Sequence, residues 1–140
     1  TNFYLSSIQQ GIQPGHCAVD MAVKYCKLNT TAALTFWDWA KNHRTMICLN
    51  GGNAAGIRDT WNQLVRLGEQ LDLPVEAFNE DYDSLDNAMT CCGIVVPSNI
   101  YEMAADLRSG QLVRCDAPAG MQHDPATQLA MLLNMYGLAK

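Results

Sequence analysis

"GIQPGHCAVD", residues 11–20, is the stretch on which the reading of the chain turns. Gly11 and Pro14-Gly15 follow "FYLSSI" (residues 3–8), a short apolar run that predicts a strand ending at this punctuation. Proline suits the first turn of a helix, because the amide it lacks would have no partner there. Ala18, Met21, Ala22 and Tyr25 then recur at i, i+3, i+4 and i+7, so the spacing predicts a helix opening at Pro14 with one side against a core. The segment therefore reads as strand, glycine-rich turn and helix, with the turn free to hold something at the helix N-terminus.

Similar units follow. Residues 31–42 predict a shorter helix leading into the strand "TMICLNG", residues 45–51. Ile57, Trp61, Leu64, Val65 and Leu71 give helical spacing over residues 53–71, stopped by Asp72 and Pro74. "VEAFNE" (75–80) and "AMTCCGIVVP" (88–97) predict two more strands; the second is apolar throughout, as in a central strand covered on both faces. Ser98 caps a helix that buries Ile100, Met103, Ala104 and Leu107 and ends near Gly110.

Residues 111–123 read as a loop with Pro118 and Gly120, and Asp124-Pro125 opens a last helix with Leu129, Leu132, Leu133 and Tyr136 on one stripe. The order β-α-α-β-α-β-β-α has no internal repeat. It predicts a three-layer α/β sandwich with a four-stranded mixed sheet over residues 1–110, and an added loop and C-terminal helix over 111–140. That helix must cover a surface, either the domain's own or a second copy's, and a homo-oligomer through it is expected.

Composition limits the function. A chain of 140 residues with 49% hydrophobic and 16% charged residues has the length and apolar content for one packed domain. No apolar run reaches the roughly 20 residues of a membrane span, and the first residues lack the blocks of a signal peptide, so a cytoplasmic protein is expected. The six cysteines show no paired C-x-x-C spacing, which predicts buried free thiols and no metal site. A net charge of −5 argues against extended nucleic acid as a partner. Lys24, Lys27, Lys41 and Arg44 nevertheless make a locally basic stretch that a small anion would suit, opposite an acidic one at Glu76, Glu80, Asp81, Asp83 and Asp86.

Taken in order, the helix entry "GHCAVD", then Trp37 or Trp39, "TMICLNGGN" and "LPVEAFNEDYDSLDNAMTCCGIVVP" resemble the type-2 peptidyl-tRNA hydrolase family over roughly residues 3–107. The resemblance implies that family's four-stranded fold and a site at the first helix. Gly15 matches the family glycine and Thr90 its strand threonine, and Asp83 or Asp86 takes its acidic position. Three working positions differ: His16 stands for Lys or Gln, Asp20 for Gln and Val23 for His. The arginine usually found nearby is absent.

Positions 16, 20 and 23 share a roughly 60° sector of the predicted helix, opposite its core stripe, so His16 and Asp20 can touch. Asp20 would orient a protonated His16 beside free helix-start amides, where a phosphate or carboxylate is favoured. The candidate catalytic residues are His16 and Asp20. Gly11, Pro14, Gly15, Lys24, Asn50, Asn87 and Thr90 are the candidate ligand contacts, with no cofactor. Trp61 reads as core; Trp37 and Trp39 cannot share one helical face, so the pair reads as core or rim packing, or else one of them points outward to stack on a base.

Three functions follow. The first is a hydrolase of a small nucleotide-derived ligand, such as a phage protein that degrades a host cyclic-nucleotide signal in the host cytoplasm. The second is a non-catalytic sponge for such a nucleotide, and the third is peptidyl-tRNA hydrolysis, which the acidic charge disfavours. A purely structural role for the C-terminal helix is compatible with the first two.

Overall fold

The computed structural model describes residue 1, residues 6–110 and residues 123–138. Helix α1 spans Ser7–Tyr25 and begins well before Pro14, because Ser6 caps it. The Ser6 hydroxyl accepts from the Gln9 amide, and the Gln9 side chain accepts from the Ser6 amide at 3.1 Å, so two orphan donors are satisfied reciprocally. The expected strand is thereby corrected: residues 6–8 are cap and first helical turn, and residues 3–5 lie outside the described residues. Pro14 sits buried inside α1. Gly15 and His16 therefore belong to the helix's own ladder of amides bonded four residues back, and no anion cradle of free amides follows Pro14.

Helix α2, Thr31–Asp38, is capped by the Thr30 hydroxyl and runs into a π-helical turn, Trp39–His43, that ends at Arg44 with φ 56°. Helix α3, Ala54–Leu71, starts on the Asn53 side chain and stops at Asp72, left-handed at φ 50°. Strand β1, Val75–Asn79, pairs antiparallel with β2, Met89–Ile94, with Val75 opposite Ile94 and a bulge at Phe78/Asn79. The short helix α4, Tyr82–Leu85, joins them. Helices α5, Ser98–Ser109, and α6, Pro125–Asn134, complete the described chain.

The described residues are thus mixed but helix-rich, 62% of them helical, with one two-stranded antiparallel sheet among them. It is not the four-stranded sheet of a three-layer sandwich. "TMICLNG" is where the expectation fails. Leu49 forms a single bridge to Leu138, Asn50 N bonds Gly137 O at 2.9 Å, and the Thr1 amine bonds Leu49 O at 3.0 Å. Met46 and Ile47 stay exposed. A β-prone run becomes a strand only where a neighbour supplies a ladder, and among the described residues the neighbour contributes one bridge, at Leu138.

The sheet separates two cores. On one side Cys17, Met21 and Tyr25 of α1 pack with Ala32, Ala33 and Phe36 of α2 and with Cys91 of β2. On the other, Leu64 and Leu67 of α3 meet Ile100 and Ala104 of α5 and Leu129, Ala130 and Leu132 of α6, with Cys92 and Ile94 of β2 against them. β2 carries one polar side chain, Thr90, in an otherwise apolar run covered on both faces, yet among the described residues it has a single strand neighbour. Leu129 and Ala130 are wholly buried. The stripe on α6 is spent on the chain's own core, which removes the argument that assigned it to a second copy.

Trp61 packs against the second core, as expected, while Trp37 and Trp39 are both half-buried around Phe36. Their indole N–H groups donate to Tyr25 O and Thr45 O. The cysteines differ from the expectation of uniform burial: Cys17 and Cys91 are buried, Cys48 and Cys92 half-buried and Cys26 exposed, whereas Cys115 lies outside the described residues. The loop expected over residues 111–123 also falls there, apart from its last residue. Among the described residues no helix is long and apolar enough to cross a membrane.

Candidate functional site

The residues singled out on α1 divide by the direction in which the helix points them. Gln13, Cys17 and Lys24 face β1. The Gln13 amide donates to Glu80, the Cys17 thiol donates to Glu76 O at 3.2 Å, and Lys24 bonds Val75 O at 2.9 Å and pairs with the Glu76 carboxylate at 3.1 Å. Lys24 is therefore a brace between α1 and β1 and is not held ready for a ligand. His16 is exposed, with its ring stacked on Phe78 at 4.6 Å between centroids and 16° between planes.

Asp20 is exposed one turn on, and among the described residues no hydrogen bond or ion pair joins it to His16. Exposed side chains four apart gain only about 0.3–0.5 kcal/mol from pairing, and stacking on Phe78 holds the imidazole elsewhere. Gly11 and Gly15 are exposed on α1, and Pro14 is buried beneath them.

Asn50, Asn87 and Thr90 do not converge on His16 and Asp20; of the three, Asn50 meets α1 only near its start, at Gln10. Asn87 is exposed in the turn before β2, left-handed at φ 57°, beside Asp86 at φ 49°. Asp83 lies in α4 and is exposed, as is Asp86. Thr90 is 1% exposed and its hydroxyl has no hydrogen-bond partner among the described residues. It is the extra residue of the bulge, between Met89 opposite Asn79 and Cys91 opposite Phe78.

Asn50 alone opens onto a cleft. Gln10, Asn50, Gly51, Gly52, Met135, Tyr136, Gly137 and Leu138 line a space of about 480 Å³. The cleft has a local cause in "NGG", residues 50–52. The Asn50 side chain accepts from Gly52 N at 3.0 Å, and Gly52 takes φ 79°, which favours glycine. At Gly51 a Cβ would lie 3.0 Å from Ile57 and 3.2 Å from Thr1 O, so the turn sits tight on α3. The Tyr136 hydroxyl is anchored to the Thr60 hydroxyl at 2.6 Å.

Sequence reading missed Gln10 and Tyr136. The asparagine-glycine turn was visible, but its partners lie 40 and 86 positions away in the sequence, and the Leu49–Leu138 bridge, the Asn50–Gly137 backbone bond and the Thr60–Tyr136 bond bring the last of them to it.

The chemistry available is limited. Among the described residues the cleft lining carries no acid, base or cation. The Cys17 thiol is held protonated by its interaction with Cys91 and by burial, the same interaction lowers Cys91, and burial pushes Cys92 up to about 12. No group of three or more His, Cys, Asp or Glu among the described residues could hold a metal ion. Comparison of the chain with protein-family models, with curated proteins and with solved structures finds no match.

Proposed function

We propose that this chain is a non-catalytic binding protein for a small nucleobase-bearing ligand, held in the cleft between the 50–52 turn and residues 135–138. The observation that carries the reading is the lining itself. The Asn50 carboxamide stands beside the aromatic Tyr136 and two apolar side chains, Met135 and Leu138, with no charged group in the lining among the described residues. Carboxamides pair with the donor and acceptor edges of bases, and flat apolar surface receives their faces. The cleft is shallow and broadly open to solvent, so a ligand in it stays partly exposed.

The same lining disfavours hydrolysis, since among the described residues no general base or nucleophile lines the cleft and His16 and Asp20 lie outside it. It also leaves a ligand's phosphates in solvent. Peptidyl-tRNA hydrolysis loses the four-stranded scaffold that the resemblance implied.

Calorimetry with a panel of nucleosides and of linear and cyclic nucleotides tests the proposal. A binder is expected to take at least one of them, to return it intact on denaturation, and to lose roughly tenfold in affinity in Asn50→Ala, the equivalent of one hydrogen bond. Release of a cleaved product would restore the hydrolase reading. Indifference to the whole panel would end the proposal.

A further inference from the structure

Helix α1 is apolar on two opposite sides. Cys17, Met21 and Tyr25 face the core. Ile8, Ile12, Val19 and Val23, exposed at 76, 49, 61 and 69%, fall within one sector of roughly 60° on the far side. A surface helix ordinarily places polar residues there, and one that is apolar all round is a buried helix. These four side chains expose on the order of 400 Å² as one strip, the size at which exposed apolar surface marks an interaction site.

Two further features indicate what covers it. The spacing of the strip is palindromic: four residues, then seven, then four. Setting a second α1 antiparallel, with Gly15 and His16 at the crossing, places Ile8 opposite Val23 and Ile12 opposite Val19 along the whole length. A two-fold interface requires this self-complementarity, which a foreign partner does not. Asp20, at the strip's edge, then falls opposite the uncharged Gly11, so no like charges meet.

The second feature is glycine. Gly11 and Gly15 lie inside α1 next to the strip, where glycine is unfavourable relative to alanine, and a Cβ added at either would meet nothing within 4 Å. Nothing among the described residues requires them, whereas the close approach of another helix does.

We infer that the outer face of α1 is a homodimer interface, with two copies joined antiparallel about a two-fold axis at Gly15–His16. Two such strips with their flanks hide on the order of 1,000 Å², the lower bound of a specific interface, so the dimer is weak and dissociates on dilution.

Sedimentation over the micromolar range tests this, with Ile12→Glu/Val19→Glu beside the wild type. Both positions are exposed, so the double variant keeps its circular dichroism, and it is expected to weaken dimerisation at least tenfold. Register is read by disulfide cross-linking in a Cys26→Ser/Cys115→Ser background. Mixed Ile8→Cys and Val23→Cys chains cross-link to each other in preference to their own kind. A wild type that stays monomeric at high micromolar concentration, a dimer that survives the double substitution, or dominant Ile8→Cys self-linking would each overturn the inference.

Discussion

Helices α1 and α6 carry apolar stripes of similar length and opposite fate. On α6 the stripe is sealed inside the molecule, with Leu129 and Ala130 wholly buried between α3 and α5. On α1 one stripe is likewise buried while a second, from Ile8 to Val23, faces outward. Helical periodicity therefore indicates that a face must be covered, but not by what. The α6 stripe looked available for a second copy and is consumed at home. The outer side of α1 looked like a polar ligand site because His16 and Asp20 stand on it, and its centre is aliphatic.

The contrast can be broken most forcefully at α6. Leu129→Ala should cost about 2–5 kcal/mol, the range for a truncated core leucine, measured by urea unfolding. If α6 serves only the chain's own core, the folded variant should keep the wild-type dimerisation constant. A selective loss of dimer at unchanged stability would return the interface to α6.

Capping distinguishes the two helices next. Asp124 accepts from the Ala126 and Thr127 amides at the start of α6, and its carboxyl lies below the ordinary value, chiefly through the bond from the Thr127 hydroxyl. A depressed value contributes stability above the unfolded-state pKa and loses it as pH falls through the folded one. Asp124→Ala should therefore cost about 1 kcal/mol at neutral pH, with the difference fading in acid. Ser6→Ala removes a neutral cap from α1 at a similar cost of about 1 kcal/mol, and that cost should be independent of pH across the same window.

The smallest effect is the most discriminating. Gly15→Ala should stabilise the monomer by about 0.5–1 kcal/mol, because alanine replaces glycine in an exposed helical position with open space around it. It should weaken the dimer through the Cβ it adds at the crossing. Thermal unfolding and sedimentation on the same sample separate the two effects, and an equal gain in both would contradict a close helix crossing.

Much of the local structure was legible in the chain. Expected strands over 75–80 and 88–97 appear as Val75–Asn79 and Met89–Ile94, and the stops at Asp72 and Gly110 hold. These depend on neighbours in sequence: turn residues, caps and apolar period. The start of α1 is legible too, since "SSIQ" at residues 6–9 spells a capping box, but Pro14 carries a competing signal for a helix start eight residues later.

What only the tertiary structure decided depends on residues far apart in sequence. Whether residues 45–51 become a strand rests on an adjoining ladder, and Leu138 supplies a single bridge. Asn50 could be picked out as a ligand contact, but its cleft exists because Gln10 and Tyr136 are brought beside it. His16 could be placed on a helix face, but not against the ring of Phe78, 62 positions on. A sequence specifies each residue's local preference. Which preferences are met is settled by packing between distant segments, because burying apolar area and pairing backbone groups outweigh the fractions of a kcal/mol by which one local conformation is preferred to another.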